Sequence, residues 1–174
     1  MNKIAIIIPS RLDAQRLPNK PLKLINNKEM ILHVYDAAIN SNAGEVYVAT
    51  PDDKIIDIIK KSGGNAIKTS SNHETGTDRI FEVFKKTLKE EPKIIINLQG
   101  DMPNIEPQAI SNLVSYMKKG KCDIGTLASG LNSKNEMDDL NVVKVVAVKE
   151  KFSKNTFLKA CDFLRANTNS AYNL

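Results

Sequence analysis

The sequence predicts a three-layer α/β domain with a mostly parallel sheet. Three observations lead there. Short β-branched runs alternate with amphipathic segments along the chain. Several of these runs are nearly continuously apolar, as strands buried on both faces are. The residues able to carry chemistry cluster just after the runs, where open α/β sheets take their ligands.

The elements follow in order. Strands are expected at Lys3–Ile8, Glu45–Ala49, Asn65–Lys68, Lys93–Leu98, Asp123–Ala128 and Val142–Val148. The first helix is expected over Met30–Asn40, where Ile31, Val34, Tyr35 and Ala38 fall on one face. Thr50-Pro51-Asp52-Asp53 reads as a helix start, with Thr50 as cap, Pro51 in the first turn and acids near the positive end of the dipole. That helix should run to about Lys61 and stop at Gly63-Gly64. Asp78–Leu88 carries a stripe of Ile80, Phe81, Phe84 and Leu88. Pro107–Lys118 carries Ile110, Leu113, Val114 and Met117 and closes at Gly120.

Length and composition bound the rest. The 174 residues suit one domain, 1–174, and 41% hydrophobic with 26% charged residues is an ordinary globular balance. The net charge of +5 suits an anionic substrate. With no Trp and 5% aromatic residues, there is little of the aromatic-plus-basic interleaving of a nucleic-acid surface. No stretch approaches the roughly 18 apolar residues of a membrane span. Ile4–Ile8 is too short for a signal-peptide core. Cys122 and Cys161 lie far apart with no metal-type spacing and read as two reduced thiols in preference to a disulfide. A cytoplasmic protein without nucleic-acid or membrane partners is the expectation.

Four loops hold the informative residues: Ser10–Lys20, Thr50–Asp53, Thr69–Thr77 and Gln99–Ile105. Arg11, Arg16 and Lys20 follow the first apolar run at once. Arginine grips phosphate oxygens bidentately and lysine acts as a point charge, which reads as a polyphosphate socket; a solvated basic loop would have the same spacing. Neither a Walker A motif nor a dinucleotide fingerprint is present. Asn97-Leu98-Gln99-Gly100-Asp101 sets a carboxylate just past a strand end. Asp101 is a candidate Mg²⁺ ligand or a turn cap. His73 through Arg79 opens a helix, suiting either an anion or a well-capped helix with a structural Arg79. Neither His73 nor the mid-helix His33 has a partner at metal-ligand spacing. Lys144, and the Lys118-Lys119-Gly120-Lys121 run, read as structural or solvated.

Together, Ile8-Pro9-Ser10-Arg11, Arg16-Leu17-Pro18-Asn19-Lys20-Pro21-Leu22, Val48-Ala49-Thr50, His73–Arg79, Gln99-Gly100-Asp101 and Val143-Lys144-Val145-Val146 resemble the 3-deoxy-manno-octulosonate (Kdo) cytidylyltransferases over about the first 150 residues. The resemblance implies a Rossmann-like nucleotidyltransferase fold, a homodimer, and activation of Kdo with CTP and Mg²⁺ for lipopolysaccharide assembly. It implies that Arg11 and Lys20 contact the CTP phosphates, with Pro9 and Ser10 beside them. Arg16 would be a further cation near the reacting centre. Gly76, Thr77 and Arg79 would lie against the nucleotide. Gln99 would face nucleotide and sugar, and Asp101 would bind the metal.

Two departures stand out. Met102 occupies a position where the family usually has Glu. Phe163-Leu164-Arg165-Ala166 resembles a Phe-Ser-Arg-Ala segment, making Arg165 a candidate for the sugar carboxylate, but the family continues well past the position of Leu174. The expectation is a sheet incomplete at its C-terminal end, lacking a second metal carboxylate and much of the dimer-forming region. A cytidylyltransferase for another acidic sugar, such as a sialic acid, and a truncated remnant that at most binds nucleotide are the alternative readings.

Overall fold

A computed structural model describes residues 3–13, 17–88, 91–120, 122–148 and 158–165. The chain divides into two compact units, Met1–Gly125 and Thr126–Leu174. In the first, the order is β1 (Ile4–Pro9), a 3₁₀ turn (Lys20–Leu22), β2 (Leu24–Ile25), β3 (Lys28–Glu29), α1 (Met30–Asn40), β4 (Glu45–Thr50), α2 (Asp53–Lys61), β5 (Ala66–Lys68), α3 (Gly76–Thr87), β6 (Ile94–Asn97) and α4 (Pro107–Met117). The second holds α5 (Lys134–Asp138), β7 (Lys144–Val148) and β8 (Lys159–Leu164).

The main sheet has the order β5-β4-β1-β6 and is wholly parallel. β1 lies between two strands, with Ile6 level with Val46 on one side and Ile96 on the other. Side chains alternate across a strand, so β1 feeds two cores. Ile6 and Ile8 pack with Ile31 and Val34 of α1, Ile55 and Ile59 of α2 and Ile110 of α4. Ala5 and Ile7 pack on the opposite face with Ile80 and Val83 of α3. The layers are therefore three helices, one sheet and one helix, as the alternating pattern predicts. No described helix is long and apolar enough to cross a membrane.

The structure departs from the sequence expectation in six places. Asp123–Ala128 pairs with no strand among the described residues, and Ile124 stands 88% exposed. Gly125 breaks the apolar alternation, and its backbone lies so close to Met117 Sδ that a Cβ there would sit 2.7 Å away.

Val142–Val148 shortens to β7, which joins β8 in an antiparallel ribbon with an irregular register at Val146/Ala147. β8 was not foreseen, because Lys-Ala-Cys-Asp-Phe-Leu lacks the β-branched residues that mark strands. Also unforeseen was the β2–β3 hairpin. Its turn residues Asn26 and Asn27 have φ of 50° and 64°, the left-handed pair a two-residue hairpin turn uses. His33 Nε2 meets the carbonyl of Ile25 at 2.9 Å, fastening this hairpin to α1.

Thr50 is not the cap of α2. It is the last, fully buried residue of β4, and Asp52 occupies the N-cap position. The apolar stripe of α3 is also rotated from its expected place. Val83 is fully buried, whereas Phe81 is 57% exposed with the Lys85 ammonium 5.6 Å from its ring centroid.

This last difference gives a direct test. Val83→Ala should destabilise the chain by about 2 kcal/mol, from lost burial plus a cavity. Phe81→Ala removes a larger side chain but should cost less than about 1 kcal/mol. Urea unfolding of the two variants checks the order, and the reverse ranking would place Phe81 in the core.

Candidate active site

The carboxyl ends of β1 and β6 open into a cleft of about 340 Å³. Three loops line it. The β1 loop supplies Pro9, Ser10, Arg11, Lys20 and Pro21; the β5–α3 crossover supplies His73, Glu74 and Thr75, joined by Gly76 and Arg79 of the first turn of α3; the loop after β6 supplies Gln99, Gly100 and Asp101. Met30, at the start of α1, completes the lining. The size suits a small-molecule ligand.

Two glycines let the loops close on the strand end. A Cβ on Gly76 would approach Pro9 Cγ to 3.2 Å, and one on Gly100 would approach the Pro9 carbonyl oxygen to 3.0 Å. Both loops thus lean on Pro9 where a larger residue would push them away. Ser10 continues the register by donating its N–H to the Ala49 carbonyl at 2.9 Å.

The β1 loop is anchored from a distance. Asp52 Oδ2 accepts the Leu12 N–H at 2.9 Å across 40 residues of sequence. Asp52 N–H in turn donates to Thr50 Oγ1 at 3.2 Å. The Asp52 carboxylate makes no side-chain cap bond to its own helix; it holds the arginine-bearing loop instead. At the helix start read from His73–Arg79, a capping box forms between Thr75 and Asp78: Thr75 Oγ1 accepts the Asp78 N–H at 3.2 Å and Asp78 Oδ2 accepts the Thr75 N–H at 3.1 Å.

The predicted site residues fall as follows. Lys20 and Asp101, 81 residues apart in sequence, meet in an exposed ion pair of 2.7 Å. Arg11 is exposed at the cleft and near enough to Arg79 for their charges to repel. Arg79 is buried; it donates to Thr69 Oγ1 and to the Ser70 carbonyl, the latter at 2.8 Å. Burial first, and Arg11 second, lower its pKa from the ordinary arginine value. Gln99 is exposed, and its Nε2 donates to Asn97 Oδ1 at 2.7 Å. Thr77 is exposed and does not line the cleft.

Arg165 lies in the second unit, where its Nη1 donates to the Leu140 carbonyl at 3.4 Å and its own carbonyl accepts from Lys144 at 3.5 Å. Lys144 is buried there and also donates to the Asp139 carbonyl. Arg16 lies outside the described residues. Met102, where an acid was expected, is 43% exposed.

Sequence reasoning missed Asp52 as a loop anchor and Glu82 altogether. Glu82 accepts the Ser70 N–H at 2.9 Å and the His73 Nε2–H. An acid at a helix start announces a cap, so nothing in sequence pointed Asp52 elsewhere. For Glu82 the one available signal was its spacing of three from Arg79, which puts both on one helix face.

Comparison with known proteins agrees with this geometry. The fold closely matches a solved CMP:2-keto-3-deoxy-manno-octonic acid synthetase complexed with CTP. The TM-score is 0.85 and the identity 38%, covering 98% of this chain and 67% of that one. Among curated relatives, the 3-deoxy-manno-octulosonate cytidylyltransferase of Thermodesulfovibrio yellowstonii is 43% identical over 87% of this chain. That of Brucella ovis is 38% identical over 94%. This chain spans 60% and 65% of the length of those two relatives. Fold and cleft together define an α/β protein of the nucleotidyltransferase fold. The match extends over residues 5–170 to the family described as cytidylyltransferase, and the chain belongs to that family.

Two outcomes test the loop anchors. Asp52→Ala should cost about 1–2 kcal/mol and speed hydrogen exchange at the Leu12 amide; unchanged exchange would mean the loop is held by other contacts. Glu82 supplies a pH signature. Its carboxyl is lowered from 4.5 to about 2, chiefly by the hydrogen bond from His73 and next by that from Ser70. A depressed folded value means that its contribution is full above about pH 4.5 and is lost as pH falls through about 2. The stability gap between wild type and Glu82→Gln should therefore shrink on acidification across that window. Parallel acid-unfolding curves would contradict it.

Proposed function

We propose that the chain carries the nucleotide-binding part of a cytidylyltransferase that activates Kdo with CTP, giving CMP-Kdo and pyrophosphate, in lipopolysaccharide assembly in the cytoplasm. The observation that supports this most is the convergence of three separate loops on one cleft. They bring Arg11, Lys20, Gln99 and Asp101 to the carboxyl ends of β1 and β6. The similarity to a CTP-complexed synthetase points to the same ligand.

In this reading the 2-hydroxyl oxygen of Kdo attacks the α-phosphorus of CTP. A new O–P bond forms as the bond from that phosphorus to the pyrophosphate oxygen breaks, and the hydroxyl proton is released. Negative charge gathers on the leaving pyrophosphate. Phosphoryl-group chemistry of this kind depends on positioning and charge neutralisation. Arg11 and Lys20 supply fixed positive charge from the β1 loop, and buried Arg79 adds to the potential of the cleft. Gln99, its amide nitrogen engaged by Asn97, turns hydrogen-bonding capacity toward the nucleotide and sugar.

Magnesium fits this cleft through one carboxylate. Among the described residues no cluster of three or more acids, histidines or cysteines exists to cage a metal. Mg²⁺ needs only one or two carboxylates when substrate phosphates and water complete its shell. Asp101 would hold the ion, whose charge would offset that of the phosphates. Asp101 is now paired with Lys20, and an exposed pair of this kind is worth about 0–1 kcal/mol, so both groups can exchange partners for phosphate and metal at little cost.

Calorimetric titration of the chain with CTP, with and without Mg²⁺, tests these roles. Arg11→Ala should weaken CTP binding by about tenfold or more. Asp101→Asn should abolish the gain from Mg²⁺ while metal-free CTP binds at least as well as to wild type, since Lys20 loses its competing carboxylate. Undiminished binding by Arg11→Ala, or a Mg²⁺ gain retained in Asp101→Asn, would remove those residues from the proposed site. Pyrophosphate release with CTP and Mg²⁺, comparing Kdo with a sialic acid, reports the sugar.

A further inference from the structure

The crossover from β5 to α3 has little backbone support of its own. Thr69 N–H donates to the Thr50 carbonyl at 2.9 Å, which ties the loop to the end of β4. Beyond it, no backbone–backbone hydrogen bond among the described residues joins residues 70–74 to another element. The bonds of Ser71 and Asn72 are local: Ser71 Oγ to Asn72 Oδ1, and Asn72 N–H to Ser70 Oγ. Yet this segment delivers His73, Glu74 and Thr75 to the cleft wall.

What fixes the segment is a pair of side chains on α3. Ser70 is gripped on both sides. Its carbonyl accepts from Arg79 Nη1 at 2.8 Å, and its N–H donates to Glu82 Oε2 at 2.9 Å. Arg79 and Glu82 are three residues apart and so neighbours on the helix surface. The same Glu82 oxygen receives His73 Nε2, and its other oxygen receives Lys86 Nζ at 3.0 Å. The Glu82 side chain is only 13% exposed, so its charge has traded water for these donors. Glu82 does not line the cleft.

We propose that Glu82 is a positioning residue for the nucleotide cleft, acting through the Ser70 N–H and the His73 ring to hold the 69–75 loop in its binding conformation before ligand arrives. This rests on the reading of the cleft as a CTP site. Without the carboxylate, the loop is ordered only when nucleotide binds, and the ordering cost appears as weaker affinity.

Hydrogen exchange and CTP titration on the same variants test it. In Glu82→Ala, amides 70–75 should exchange about tenfold faster while those of β1 and β4 stay protected, and CTP should bind about tenfold more weakly. Glu82→Gln keeps an acceptor for the Ser70 N–H but loses the carboxylate charge that draws both donors, so its amides 70–75 should exchange faster than in wild type and more slowly than in Glu82→Ala; that increase over wild type is the readout if the alanine variant does not fold. Lys86→Ala removes only the outer, exposed partner and should bind CTP within about twofold of wild type. Unchanged exchange over 70–75, or faster exchange with wild-type affinity, overturns the positioning role while leaving the CTP site standing. Failure of the wild-type chain to bind CTP overturns the nucleotide reading itself, and Glu82's role in binding with it.

Discussion

Pro9 ends the central strand, and the cleft exists because other segments can close on it. β1 is buried on both faces and bonded along both edges, so its end point is among the best-determined places in the first unit. Gly76 and Gly100 reach it with almost no space left for a side chain. Ser10 then adds one more backbone bond to β4 before the chain turns into the arginine-bearing loop. Rigidity acquired through burial in the sheet is handed to loops that have little regular structure. That is how a doubly wound fold builds a site at its strand ends.

The charges near this end divide into two kinds of work. Arg11, Lys20 and Asp101 are exposed or half-exposed at the cleft and free to meet a ligand. Asp52, Arg79 and Glu82 each hold a backbone group of a loop: Asp52 the Leu12 N–H, Arg79 the Ser70 carbonyl, Glu82 the Ser70 N–H. Two of the three loops that line the cleft, the β1 loop and the β5–α3 crossover, are held by side chains rooted in a neighbouring helix or its start. Preorganisation of this sort lowers the ordering cost of binding. It also explains why an arginine in the His73–Arg79 stretch is buried although it borders the cleft. Its guanidinium fastens the wall and contributes its charge from there.

The second unit follows different rules. Its β7–β8 ribbon is antiparallel and carries Val143, Val148, Leu158 and Phe163 in exposed positions on or beside its strands. Lys144, read from the sequence as structural, is buried and donates to the backbone carbonyls of Asp139 and Arg165. Arg165, singled out as a sugar-acid candidate, has its guanidinium on the Leu140 carbonyl. Both cationic side chains thus tie the ribbon to the segment that precedes it.

Much of this was legible beforehand. The βα alternation, the buried character of β1, the span of α1 and three of the site-forming loops follow from periodicity and local chemistry, which act over a few residues and are written in order along the chain. It was the resemblance to the Kdo cytidylyltransferases, carried by several motifs at once, that marked Arg11, Lys20, Gln99 and Asp101 together. Tertiary structure alone decided which face of α3 is buried, because Val83 packs with Ile80 against β1 while Phe81 of the expected stripe stays exposed. It alone left Asp123–Ala128 without a strand partner among the described residues and paired Lys159–Leu164 with β7, since a strand is defined by a neighbour and not by its residues. And it alone turned Asp52 and Glu82 into loop anchors. A carboxylate's partner is whichever donor the fold brings within about 3 Å, and here the donor for Asp52 came from forty residues away.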